Sequence, residues 1–161
     1  MTDGGVRLHI PIALRWGDLD AFAHVNNATM LRLLEEARIR AFWAPLPGED
    51  APPTAVIDSG ADSGVQMFVA RQEIDYLAPV PYRRPPLDVQ MWFGALGGSS
   101  ADVCYEVFSS PPGGEPTLHV RATTVVVVVD AASGSPTRLT AEMRAAWAPY
   151  VGVPLRYRGR P

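Results

Sequence analysis

A single cysteine, Cys104, is the whole thiol content of the 161-residue chain. No intrachain disulfide can form and no cysteine cage for zinc can be built. One free cysteine suits a reducing compartment. Charge is sparse as well: 19% of residues are charged and the formal net charge is -3. No cluster of basic residues interleaved with aromatics is present, which argues against a nucleic-acid partner. The longest aliphatic run, Val125–Val129, falls far short of the roughly 20 residues that span a bilayer. No apolar stretch follows the opening Met-Thr-Asp-Gly-Gly-Val-Arg, so no signal peptide is expected. These absences make a cytoplasmic protein without membrane or nucleic-acid partners the expectation.

The usual site motifs are missing too. There is no His-Glu-x-x-His, Cys-x-x-Cys, Gly-x-Gly-x-x-Gly or Walker loop, and no Gly-x-Ser-x-Gly. No metal site and no resident cofactor is expected.

What is present is apolar material, at 47% of the chain. A chain of this length fits one domain and buries about 70% of its unfolded surface. We expect a domain over residues 1–150 and a C-terminal tail over 151–161.

Val6–Trp16 alternates partly and ends at Gly17-Asp18, which predicts a strand running into a turn. From about Asn27 to Trp43, Met30, Leu33/Leu34, Ala37 and Ala41 form one stripe at helical spacing. Asn26 or Asn27 is the N-cap, and Ala44-Pro45 with Pro47-Gly48 ends the helix. The stripe, widened by Leu31 and Phe42, predicts burial on several sides. A short strand is expected at Thr54–Ile57. Four further strands are expected at Val65–Leu77, Leu87–Leu96, Asp102–Phe108 and Thr117–Val129, read as successive antiparallel neighbours. Thr140–Tyr150 reads as a closing helix capped by Thr140. The fold class is α+β: an antiparallel sheet wrapped around one long central helix.

The densest polar cluster is Asp18-Leu19-Asp20-Ala21-Phe22-Ala23-His24-Val25-Asn26-Asn27, between the first strand and the helix. Here the chain resembles the hotdog-fold 4-hydroxybenzoyl-CoA thioesterase and acyl-CoA thioester hydrolase family. Its motif is Asp-x-Asp-x-x-Gly-His-Val-Asn-Asn-x-x-Tyr, then a helix carrying Glu-x-x-Arg or Glu-Ala-Arg. Asp18, Asp20, His24, Val25, Asn26 and Asn27 match, followed by Glu35-Glu36-Ala37-Arg38. Glu73-Ile74-Asp75-Tyr76-Leu77-Ala78-Pro79-Val80 resembles the family's next strand and turn. Ser99-Ser100 falls where relatives carry a Ser after a basic residue. The chain departs at Ala23 (family Gly), Met30 (family Tyr) and Gly97-Gly98 (family basic residue).

The resemblance implies hydrolysis of an acyl-CoA or acyl-carrier-protein thioester in a homodimer or homotetramer, with coenzyme A as part of the substrate. It makes Asp20 the catalytic carboxylate and the Asn27 backbone N–H the oxyanion donor. The chemistry fits those groups. A thioester expels a thiolate, whose parent thiol titrates near 8.5, so no strong general acid is required. What is needed is a base or nucleophile, which a carboxylate supplies, and oxyanion stabilisation, which a helix N-terminus supplies.

Other roles stay open. His24 is either a structural hydrogen-bonding residue or a base that orients water. Asn26 is a cap or a substrate contact. Asp18 reads as a turn residue, and Glu35, Glu36 and Arg38 as a solvated or intersubunit helix face. Arg83 and Arg84, in the bend before the third strand, are surface charges or contacts for CoA phosphates, and Ser99 and Ser100 are candidate substrate contacts. Two other functions remain in view: an acyl-thioester hydratase or dehydratase, and a non-catalytic acyl-thioester binding module.

Overall fold

The computed structural model describes residues 5–60 and 62–159. The first four of the opening residues on which the absence of a signal peptide was read, and the last two of the tail, lie outside them. Five strands form one antiparallel sheet: β1 Leu8–Ile12, β2 Val65–Tyr76, β3 Leu87–Leu96, β4 Ser100–Ser109 and β5 Thr117–Asp130. Two helices accompany it, α1 Asn27–Phe42 and α2 Ala141–Trp147.

The strand order is β1-β3-β4-β5-β2. The expected run of neighbours therefore holds for β3, β4 and β5 but not for β2, which pairs with β5 at the far edge. The reason lies in residues 77–86. This segment carries Pro79, Pro81, Pro85 and Pro86, and four residues without an N–H leave it unable to pair regularly with a neighbouring strand. It instead crosses three strand spacings, about 14 Å, to start β3 beside β1. The strand expected at Thr54–Ile57 is reduced to one parallel bridge, Trp43 to Ile57.

The helix is also corrected. α1 has 16 residues, about 24 Å at 1.5 Å per residue, and is shorter than the long helix expected. It is buried on one face, not several. Met30, Leu34, Ala37 and Ala41 are at most 2% exposed, while Arg32, Glu35, Glu36, Ile39 and Arg40 face outward. The inward stripe packs on alternate residues of β3, β4 and β5, which also point inward. Phe42, Phe93 and Trp147 stack at 5.0–5.3 Å, locking α2 into this core.

α1 sits toward the β1 side of the sheet, where Arg40 Nη1 donates to the Pro11 carbonyl at 3.2 Å. The inner face of β2 is left largely open: Val69 and Tyr76 are each 45% exposed. On the outer face, the last described residues run as an extended strap. Gly152 N donates to Phe93 O, Trp92 Nε1 to Val153 O, and Tyr157 shares a 2.6 Å hydroxyl contact with Thr123. The strap thus crosses from β3 to β5.

Candidate active site

The segment between β1 and α1 is tied into a closed loop. Asp18, 1% exposed, accepts from the Arg15 backbone N–H at 2.7 Å and from its guanidinium at 3.0 Å. Its own carbonyl accepts from Asn26 N at 3.1 Å. Asp18 is therefore a turn residue, as its sequence setting suggested, and it joins the two ends of the loop.

Within that loop, Asp20 N donates to His24 O at 2.8 Å, and Ala23 N to Asp20 O at 3.0 Å. The Asp20 Oδ1 atom accepts from Phe22 N at 2.9 Å and from His24 N at 3.4 Å. This is the local turn that short acidic side chains favour. It fixes one carboxylate oxygen and leaves Oδ2 without a hydrogen bond among the described residues. Ala23 pays a conformational cost for this geometry, with φ at 60°. Glycine is the residue that adopts such a φ freely, so this chain holds Ala23 there under strain.

Asn26 caps α1, its side chain accepting from Ala28 N at 2.9 Å and Thr29 N at 3.4 Å. This resolves the choice between the two asparagines. The cap satisfies the second and third N–H groups of the helix. The first, on Asn27, has no acceptor among the described residues, and it carries the partial positive charge of the helix start. Tyr76 holds the same residue from the other side, its hydroxyl donating to Asn27 O at 2.8 Å. Burial raises the Tyr76 pKa above its usual value, so the hydroxyl stays a donor.

Asp20, His24, Asn27 and Tyr76 meet around one cavity of about 410 Å³, with Met30 and Val120 among its apolar walls. The imidazole of His24 lines it with no hydrogen bond among the described residues. The chain segment from Leu77 to Val80 closes another side and is held by Val25 N donating to Val80 O at 2.9 Å. His119, buried, buttresses that segment through Ser109 and the Ala78 carbonyl.

The other predicted contacts do not join this cavity. Arg83 and Arg84 lie two and three residues beyond Pro81, which bridges His24. Arg83 Nη2 is engaged by Ser110 O at 3.0 Å, and Arg84 is exposed. Ser99 and Ser100 sit in the β3–β4 turn. Ser100 lies opposite Val127, seven positions along β5 from Val120, or roughly 23 Å. Within one protomer they are at the opposite end of the sheet from Asp20. Two residues were not assigned to the site from sequence. Tyr76 stood within a noted motif but had no role, and Arg38, read as a surface residue, is 6% exposed.

A larger groove, about 910 Å³, runs between β1 and the segment after α1. Most of its charged groups are engaged: Arg40 by Glu36, His9 by Asp88, Arg7 by Glu106, and Glu49 by Leu46 N. The Asp20 cavity is the candidate on chemistry, not on size. Burial pushes the Cys104 thiol up, so it is a poor nucleophile. Among the described residues, no group of three or more His, Cys, Asp or Glu side chains is placed to hold a metal ion, and no helix is long and apolar enough to cross a membrane.

The model of the thioesterase-like superfamily matches residues 14–147. The chain belongs to that superfamily. Its loop, both helices and strands β2–β5 fall inside the matched region, and β1 lies just before it. Among solved structures it is similar to the PA5185 protein from Pseudomonas aeruginosa, at 24% identity and TM-score 0.69, covering 90% of this chain and 92% of that one. It is similar to a Thermus thermophilus thioesterase complexed with coenzyme A and zinc, at 28% identity and TM-score 0.64, covering 96% and 100%. A variant 4-hydroxybenzoyl-CoA thioesterase complexed with 4-hydroxybenzoyl-CoA shares 16% identity at TM-score 0.68, covering 89% and 98%. No curated protein matches the chain. The resemblance to hotdog thioesterases read from the Asp18–Asn27 motif is thereby borne out, and the five-stranded sheet matches theirs.

Proposed function

We propose that the protein hydrolyses acyl-CoA thioesters, with Asp20 as the base or nucleophile and the Asn27 N–H as oxyanion donor. One observation carries this reading: a carboxylate oxygen and an unclaimed helix-start N–H converge on a single cavity with apolar walls. Family membership gives thioester hydrolysis as the general chemistry.

In the first form of the reaction, the thioester carbonyl oxygen accepts from Asn27 N–H. Asp20 takes a proton from water as the water oxygen bonds to the carbonyl carbon. Collapse of the tetrahedral intermediate breaks the C–S bond, and the thiolate leaves and takes up a proton. In the second form, Asp20 attacks the carbonyl directly, the thiolate leaves, and water cleaves the resulting mixed anhydride. In both forms the products are a carboxylic acid and a thiol. The leaving thiolate makes an added Lewis acid unnecessary, so coenzyme A within the substrate is the only cofactor invoked.

His24 orients the water, and Asn26 acts through the helix cap. Arg83 and Arg84 extend toward the anionic end of the carrier. Ser99 and Ser100 act only from a second protomer, as the resemblance to a homodimer or homotetramer implies. We place the activity in the cytoplasm, on residues 1–150, with 151–161 as an accessory tail. A carrier-protein thioester is the alternative substrate.

A hydratase reading is favoured by one feature, the unengaged His24 imidazole beside Asp20. Following thiol release from a panel of acyl-CoAs separates the two. Hydrolysis predicts release that falls about 10²- to 10⁴-fold in Asp20→Asn. Asp20→Asn with wild-type release refutes the assignment. Hydration of an enoyl-CoA without thiol release refutes hydrolysis, and tight binding with neither reaction leaves a binding module.

A further inference from the structure

Three large aromatic side chains stand in solvent around the Asp20 cavity. Phe22, which lines it, is 81% exposed, Trp16 is 74% exposed and Tyr82 39%. A group of large apolar rings left uncovered marks a binding surface. Trp16 and Tyr82 are packed together: their ring centroids lie 5.2 Å apart, edge to face, with an interplanar angle of 73°. Such a contact covers at most one face of a ring, so the Trp16 indole keeps a free face.

The chain fixes where this pair stands. Trp16 opens the short turn Trp16–Asp18, whose Asp18 side chain closes the loop that carries Asp20. Tyr82 follows Pro81, which bridges His24, and lies two residues beyond Val80 on the cavity wall. Neither ring lines the cavity itself. The pair is therefore placed for a part of the substrate that stays outside while the thioester sits at Asp20.

The charge beside the pair is positive. Arg15 precedes Trp16, and its side chain is 83% exposed while its partner Asp18 is buried. Arg83 and Arg84 follow Tyr82, and neither forms an ion pair among the described residues. Arg83 gives one nitrogen to the Ser110 carbonyl, and its Nε is buried with no acceptor. An aromatic face beside several cations suits a phosphorylated purine: the base stacks on the ring and the guanidinium groups meet the phosphates. An acyl chain alone would call for the rings without the cations, and a bare phosphate for the cations without the rings.

We infer that Trp16, backed by Tyr82, is the stacking platform for the adenine of the substrate's coenzyme A, with Arg83 and Arg84 on its phosphates. The inference rests on the acyl-CoA reading above. Coenzyme A is then held at both ends, the thioester at Asp20 and the base at Trp16, with the flexible pantetheine arm looped between them. The platform also selects: a thioester that lacks the nucleotide forfeits the stack.

The nucleotide half of coenzyme A, 3′-phosphoadenosine 5′-diphosphate, tests the site without turnover. In titration calorimetry the wild-type chain is expected to bind it. Trp16→Ala, at an exposed position, is expected to weaken binding roughly tenfold. Trp16→Phe keeps a ring and recovers binding to within a few fold, and Arg84→Ala flattens its dependence on salt. In thiol-release assays the wild type prefers an acyl-CoA to the same acyl group on pantetheine, and Trp16→Ala cuts that ratio of kcat/KM roughly tenfold. Equal binding of the nucleotide by wild type and Trp16→Ala, or an unchanged ratio, overturns the platform. A loss in Trp16→Ala confined to acyl-carrier-protein substrates also overturns it and assigns the patch to the carrier protein. Nucleotide binding that obeys these variants, with no thiol released from any acyl-CoA, keeps the platform and defeats the hydrolase reading. Asp20-dependent thiol release without nucleotide binding does the reverse.

Discussion

The Tyr76 hydroxyl donates to the Asn27 carbonyl at 2.8 Å, tying the last residue of β2 to the first residue of α1. The sheet thereby sets the orientation of the helix end whose free N–H faces the cavity. Tyr76→Phe removes the bond and keeps the ring. We expect kcat to fall about three- to tenfold, matching a net hydrogen bond of roughly 1 kcal/mol, with KM little changed. Because the Tyr76 pKa is raised, the hydroxyl is protonated on both sides of neutrality. The pH–rate profiles of wild type and variant therefore have the same shape from pH 6 to 9, a prediction steady-state kinetics checks.

Asp18 closes the loop from within. Asp18→Asn keeps its size but removes the charged acceptor of the Arg15 backbone N–H. The Arg15 guanidinium is largely exposed and contributes little, so the loss is mainly the backbone bond. Urea unfolding is expected to show a destabilisation of about 1.5–3 kcal/mol.

Ala23 sits at φ 60°. Ala23→Gly relieves the crowding of its Cβ, worth about 1–2 kcal/mol, and adds entropy to the unfolded chain, worth about 0.5–1 kcal/mol. The net expectation is a stabilisation of about 0.5 kcal/mol, read as a higher urea midpoint at unchanged m-value. A lower midpoint contradicts the strain.

Tyr157 anchors the strap on Thr123, and burial pushes its pKa up to about 12. A raised pKa means the neutral hydroxyl is favoured when folded. Its stabilisation is fully present below pH 10 and fades as pH rises from 10 toward 12. Tyr157 absorbance is expected to titrate together with a change in Trp92 fluorescence, since Trp92 Nε1 donates to the same strap at Val153. Tyr157→Phe removes the transition in that window.

Sequence legibility followed the range of the interaction. The Asn26 cap, the Asp18 turn and the bounds of β3 depend on neighbours within a few residues, and these matched. The expectation of successive hairpins failed at β2 because pairing partners are set by the whole sheet, and alternation along Val65–Tyr76 carries no record of which strand lies beside it. The burial of Arg38 within the protomer was not legible for a related reason. Its charge argues for a solvated or intersubunit face, while the fold brings it against Tyr105 on β4. That Asp20 and Asn27 line one cavity was legible because motif and helix start are contiguous. The separation of Ser99 and Ser100 from Asp20 was not, since it follows from register along β5.

The strap over the outer face has a consequence for biosynthesis. Residues 151–159 are the last described residues to leave the ribosome, and they cover Trp92 and Thr123, which emerge much earlier. The sheet is assembled with its outer surface bare until residues 151–159 emerge to cover it. That face is therefore the last part of the described sheet to be shielded from solvent, well after the inner face has closed over α1.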